Sequence, residues 1–427
     1  MKDIPAKLKS AILRGRCIAF VGAGFAMPVV PGWGELLRLI AKSLGQELIP
    51  ASNASAFDLE AMGQALQDRA ANAGRGAWAG LVREALEEAG REHPRAGLEV
   101  RCSRLQSIPF KAILTTNFDT SLSGSPTNRD TYWQVLRADQ RPGWQLPDAD
   151  LNDNWRRPPI IKLHGDVDGA EPGNLVFSRR DYRRLVYGDG HYANFVRAVF
   201  AGYTVLFLGV SFTDAYLNEL RSEVLSMLHE PSREGEPWGY AIQIGKAPEI
   251  VEFFEQHESI VTLSAKDPAE FDEWLEVIAN ATSVEGRLKT LLHGRTVVWV
   301  DANPANNVRG RELFQKCGAK VQLLESEEGL VDAHAEADLL LTQFGYDDAG
   351  RHRAIRVLEK VNRWKERPPV IVFAAASAPD DDLGRQLLKK NRKECLRHGA
   401  FEYTTRWSEL YRLVESLFDR APGDPIA

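Results

Sequence analysis

Three short polar stretches each follow an apolar run. Asn117-Phe118-Asp119 comes after Ala112-Ile113-Leu114-Thr115-Thr116, His164-Gly165-Asp166 after Pro159-Ile160-Ile161-Lys162-Leu163, and Gly209-Val210-Ser211-Phe212-Thr213-Asp214 after Thr204-Val205-Leu206-Phe207-Leu208. Open α/β sheets put their chemistry at the carboxyl ends of buried strands, where an imidazole accepts a proton at neutral pH and amide or carboxylate groups orient what reacts. A fourth run, Cys17 to Val21, leads into Gly22-Ala23-Gly24-Phe25, where glycine lets the backbone approach a phosphate closely. A nucleotide is therefore the first ligand to consider. It is held neither by the dehydrogenase fingerprint, since Met27 stands where the third glycine belongs, nor by a kinase-type phosphate loop, since no Gly-Lys-Ser/Thr occurs.

The elements that must position these groups follow from hydrophobic periodicity. Leu36, Leu37, Ile40 and Leu44 share one helical face, and Trp78, Leu81, Val82 and Leu86 another, which predicts a helical module inserted over about 35–108. Ser121 to Arg157 reads as a long loop and Asp181 to Phe200 as helical. Strands are expected at Gly239 to Ile244 and Ser259 to Leu263, alternating with helices at Glu249 to His257 and Pro268 to Ala281. Such alternation predicts a doubly wound parallel sheet over residues 1–282. A polar linker is expected at 283–295, then a second, smaller α/β unit at 296–427 with strands at Thr296 to Val300, Lys320 to Leu324, Ala337 to Leu341, Pro369 to Phe373 and Phe401 to Thr404.

A chain of 427 residues exceeds one ordinary core, in keeping with two units. With 44% hydrophobic and 26% charged residues it has the composition of a soluble globular protein, and a net charge of −6 without a long basic run argues against direct nucleic-acid binding. Cys17, Cys102, Cys317 and Cys395 are too scattered for a zinc ribbon and read as single thiols in a reducing compartment. Met1 to Ala11 lacks a long apolar core, and no stretch approaches the roughly 20 apolar residues of a membrane span. A cytoplasmic protein without a membrane or metal partner is expected.

GAGF at 22–25, TTNFD at 115–119, KLHGD at 162–166 and GVSFTD at 209–214, in this order and spacing, resemble the sirtuin fold, and most of all the bacterial sirtuin-like NAD-hydrolysing effectors of antiphage defence. Each motif alone is weak, but four in order cover roughly residues 10–282. The resemblance implies a Rossmann-like sheet with NAD as substrate. It assigns Gly22, Ala23 and Gly24 to cofactor binding at the diphosphate, Phe25 to cofactor binding beside them, Asn117 to the nicotinamide ribose and attacking water, and Asp119 to support of the pocket. His164 would be the base or orienting group, and Gly209 and Ser211 would meet the adenosine half. Ala26 replaces the usual serine, Pro28 to Trp33 replaces the deacetylases' Pro-Asp-Phe-Arg, and the four-cysteine zinc module is missing. These departures favour hydrolysis of NAD to nicotinamide and ADP-ribose over the alternatives, a protein deacylase or ADP-ribosyltransferase, or a non-enzymatic NAD sensor. The resemblance also implies a homo-oligomer gated by assembly, by a nucleotide signal, or by a partner such as a HerA-type ATPase or a short Argonaute.

The second unit resembles a response-regulator receiver, flavodoxin-like in fold. Asp301-Ala302-Asn303-Pro304 stands at the acidic-pair position, Ala374 to Ala376 at the switch position, and Arg406 at that of the lysine. The phosphoacceptor aspartate would fall near Thr342 or Gln343, so a pseudo-receiver for regulation or oligomerisation is expected. Elsewhere, Asp119 is balanced between the pocket and a helix cap, Ser211 is expected to face ligand and Asp214 to be structural. Arg179-Arg180, Arg183-Arg184 and the basic run Lys389 to Lys393 read as solvated faces.

Overall fold

The computed structural model describes residues 2–51, 54–74, 78–91, 93–122, 135–137, 146, 158–167, 175–188, 190–212, 214–228, 237–345, 352–374 and 382–418. The chain divides into two compact units after Thr282.

In the first unit β1 (Cys17–Val21), β2 (Ile113–Thr115), β3 (Val135–Arg137), β4 (Ile160–Lys162), β5 (Thr204–Leu208), β6 (Gly239–Ile244) and β7 (Ile260–Ala265) form one sheet in the order β3-β4-β2-β1-β5-β6-β7. Every pairing is parallel. β1 runs between β2 and β5, so the winding reverses on either side of it and a crevice opens at the carboxyl ends of these strands.

All of β1 is buried because both faces of the sheet are covered. Cys17, Ala19 and Val21 join Leu98 and Leu105 of the helix Ala96–Ser107 and Phe271 and Leu275 of Pro268–Thr282. Ile18 and Phe20 face the other way, onto Val196 of Gly190–Gly202 and Leu220 of Ala215–Leu228.

The helical module is smaller than its pattern predicts. Trp33–Ser43, Ala56–Asn72 and Trp78–Gly90 enclose Leu37, Leu66 and Val82 around Phe177, whereas the helix Ala96–Ser107 belongs to the main body. The helical stretch from Asp181 to Phe200 is two helices, Arg179–Gly188 and Gly190–Gly202. Within the segment read as a loop, β3 adds an edge strand to β4; most of the remainder lies outside the described residues.

In the second unit β8 (Thr296–Val300), β9 (Lys320–Leu324), β10 (Leu339–Thr342), β11 (Val370–Phe373) and β12 (Glu402–Thr404) form a parallel sheet ordered β12-β11-β10-β8-β9. Counted along the chain this is 2-1-3-4-5, the flavodoxin-like order. The expected linker at 283–295 is instead mostly the helix Val284–Leu292, capped by Ser283 Oγ accepting from the Gly286 amide at 2.9 Å. Leu288 and Leu292 are fully buried with Trp299 and Phe314. Its apolar positions 284, 288 and 292 share a face, a pattern hidden by the polar residues between them. Among the described residues no helix is long and apolar enough to cross a membrane.

Candidate functional site

The turns after β1 and β5 interlock. Gly22 N donates to Leu208 O and Gly24 N to Gly209 O, both at 3.0 Å. A Cβ at Gly22 would lie 2.6 Å from Gly209 O, and one at Gly209, whose φ is +63°, 2.1 Å from Phe25 N. These glycines are therefore required by backbone packing first. With the amides of residues 22 and 24 engaged, the turn's candidate donor to a diphosphate is the amide of Ala23. The Phe25 ring is fully buried beside Phe271 and the Arg101 guanidinium, so only its backbone faces the turn. Arg101 steadies the turn from behind, donating to Phe25 O at 2.6 Å and pairing with Asp272.

At the end of β2, Thr115 Oγ1 donates to Val21 O at 2.8 Å and accepts from the Asn117 amide at 3.1 Å. Asn117 is buried and its Nδ2 donates to Gly22 O at 3.2 Å, which fixes the carboxamide beside the glycine turn. Among the described residues Asp119 caps no helix. Its Oδ1 takes the Ser121 amide at 2.8 Å in a local turn, and its side chain borders a cavity of about 500 Å³. That cavity runs from Asp119, Thr120 and Ser121 to Arg83 and Val167, and touches the predicted site at Asp119 alone. Gly22, Asn117, His164, Gly209 and Ser211 do not line it.

β4 pairs with β2, placing His164 in the strand end beside Asn117. His164 is buried, and burial lowers the pKa of its imidazole, only partly opposed by the carboxylate of Asp214. Nδ1 lies 3.5 Å from the Tyr182 hydroxyl, which donates to Asp214 Oδ2 at 3.0 Å. Nε2 is buried without a hydrogen-bond partner, 3.9 Å from the same Oδ2. Asp214 does the structural work expected of it, its Oδ1 accepting from the Leu217 amide at 3.0 Å, and also faces the imidazole. Ser211 is exposed at the end of β5; Thr213 lies outside the described residues.

Two groups escaped the sequence reading. Tyr182 carried no signal, being 18 positions from His164 on a helix with no motif. Lys162 did carry one, a lysine inside an apolar strand, which burial tolerates only with partners. It is fully buried, paired with Asp166 at 3.2 Å, and donates to Asp119 O at 2.5 Å and Phe118 O at 3.3 Å, so it ties the β2 loop to β4.

In the second unit Asp301 ends β8, fully buried. Oδ1 accepts from the Asn303 amide at 2.8 Å and Oδ2 from Asn307 Nδ2. With the Gln343 amide oriented to satisfy its neighbours, its nitrogen donates to Asp301 Oδ1 and its oxygen accepts from Ala302 N, both at 2.9 Å. Neutral amides thus enclose the acidic position. Ala374 is buried, Ala375 and Ala376 lie outside the described residues, and Arg406 is exposed.

The four cysteines are buried and unpaired, and burial raises the pKa of every thiol, Cys102 to about 12. Among the described residues no group of three or more His, Cys, Asp or Glu is placed to hold a metal ion.

Residues 111–249, from just before β2 to the first turn of the helix Pro248–His257, match the model of the SIR2-like domain family. The similarity to a SIR2-like domain thus lies within the first unit. Over 247 residues the chain is 27% identical to the NAD(+) hydrolase ThsA of Enterococcus faecium, covering 54% of this chain and 45% of that protein. The match thus spans less than half of the relative's length. The receiver domain of a sensor histidine kinase from Pseudomonas aeruginosa covers 30% of this chain and 99% of its own at 19% identity and a TM-score of 0.23. That of a histidine kinase from Arabidopsis thaliana covers 31% and 95% at 14% identity and a TM-score of 0.25. The receiver-like fold of the second unit is carried by its strand order.

Proposed function

We propose that the chain is an NAD glycohydrolase, releasing nicotinamide and ADP-ribose. The observation that carries this reading is a buried carboxamide and a buried imidazole on adjacent strand ends, the imidazole with an unpartnered Nε2, beside a glycine turn that the backbone leaves narrow. The similarity to an NAD(+) hydrolase supports it. Rupture of the nicotinamide–ribose bond sends the electron pair to the departing nicotinamide and leaves an oxocarbenium-like sugar, so orientation is most of what the site must supply. The water oxygen then bonds to the anomeric carbon, Asn117 orients water and ribose, and the water's proton passes to His164, whose lowered pKa keeps it neutral at cellular pH.

In keeping with the resemblance of its motifs, the enzyme acts as an antiphage effector, gated by oligomerisation or a partner, with the pseudo-receiver as the regulatory unit. NAD loss and ADP-ribose release by the purified chain over a range of concentrations test the reaction. Turnover absent from His164→Ala and Asn117→Ala but present in the unaltered chain supports it; NAD bound without turnover in every assembly state overturns it in favour of a sensor.

A further inference from the structure

Histidine presents a lone pair on only one ring nitrogen when neutral, and which one is set by what the other nitrogen meets. The Tyr182 hydroxyl has a single proton, and that proton goes to Asp214 Oδ2 at 3.0 Å, an acceptor when ionised. The hydroxyl oxygen then meets His164 Nδ1, at 3.5 Å, as an acceptor. Nδ1 must therefore carry the imidazole proton. The opposite tautomer would aim an Nε2 proton at Asp214 Oδ2 across 3.9 Å, beyond hydrogen-bond reach.

We propose that Tyr182 and Asp214 are positioning residues for His164, holding it as the Nδ1–H tautomer with the Nε2 lone pair free, and placing a fixed carboxylate against the imidazolium that forms when Nε2 takes a proton. This deepens the reading of His164 as the base and rests on it. The carboxylate is itself anchored, because Oδ1 holds the Leu217 amide at the start of the helix Ala215–Leu228. Tyr182 is anchored as well, its ring edge-on to His164 at 5.0 Å and stacked on Tyr216 at 5.0 Å. Among the described residues, the other ionisable groups coupled to the pair include Glu60 of the helix Ala56–Asn72, joined to Arg179 of Arg179–Gly188 at 3.8 Å, and Tyr192 of Gly190–Gly202. Glu60 and Tyr192 both lie within the field of Asp214, and neither bonds to the imidazole.

The test uses the full chain. Nitrogen-15 spectra of labelled histidine, with His164 assigned by the signals lost in His164→Gln, report the tautomer without turnover. The unaltered chain should show protonated Nδ1 and bare Nε2, and Tyr182→Phe should lose that preference. Asparagine at 214 keeps the helix cap but not the charge, so Asp214→Asn should lower kcat about tenfold or more with KM for NAD little changed. It should also move the acid limb of the pH–rate profile to lower pH, because the carboxylate favours the imidazolium. Asp214→Glu should recover part of the rate. A proton on Nε2 in the unaltered chain, or an Asp214→Asn profile superimposable on the unaltered one while His164→Ala is inactive, overturns the proposal. Full activity in His164→Ala would instead overturn the base itself, and the two failures are distinct.

Discussion

The two parallel sheets place polar residues at the same kind of position and treat them in opposite ways. At the ends of β2 and β4 the structure buries Asn117 and His164 and leaves Nε2 of His164 without a partner. At the end of β8 it buries Asp301 and satisfies both carboxylate oxygens with Asn303, Asn307 and Gln343. The buried atoms left over there, Asn307 Oδ1 and Thr342 Oγ1, belong to neutral groups. A buried polar atom without a bond costs free energy, so one retained on a reactive nitrogen points to chemistry, whereas an enclosed charge points to architecture. Shared fold does not carry shared work.

The strongest way to break this contrast is to remove the open group. His164→Ala and Asn117→Ala should each lower NAD hydrolysis about a hundredfold or more, read as ADP-ribose release. Residual activity near that of the unaltered chain would put the site elsewhere. Next in size are the close approaches that build each unit. Gly209→Ala adds a Cβ 2.1 Å from Phe25 N at a φ of +63°, and should cost about 2–4 kcal/mol of stability and displace the glycine turn. Gly310→Ala puts a Cβ 2.1 Å from the Trp407 ring and should cost about 1–3 kcal/mol. Denaturant melts of each variant measure both costs, and only the first should also slow hydrolysis.

Asp301→Asn sharpens the comparison from the closed side. Replacing an acceptor-only carboxylate surrounded by amide donors should cost about 1–3 kcal/mol while leaving the pH–rate profile of hydrolysis in place. A changed profile would give Asp301 a role in the chemistry. The smallest effect expected is the pH dependence of stability. Burial holds the folded pKa of His164 below its unfolded value near 6.5, so the neutral ring's contribution is present above that pH and is lost as pH falls through the folded pKa. Melts between pH 5 and 7 should therefore fall less steeply with acidification in His164→Gln than in the unaltered chain. Equal slopes would show that the ring is hydrated.

The strands that carry the site could be read from the chain because a parallel strand covered on both faces needs an unbroken apolar run, and such runs end at Gly22, Asn117, His164 and Gly209. β3 is three residues at a sheet edge within a polar segment, too short to show a period, and the helix Val284–Leu292 hides its core-facing Val284, Leu288 and Leu292 among polar residues. Composition and periodicity determined two α/β units, the order of the strand ends and the residue types presented there, since those depend on neighbours within a few positions. Tertiary structure alone decided that the glycines serve an interlocked pair of turns, that Lys162 bridges β4 to the β2 loop, and that Tyr182 and Asp214 meet His164 from 18 and 50 positions away. Contacts of that kind are set by packing between distant segments, and no local pattern records which side chains will share a buried space.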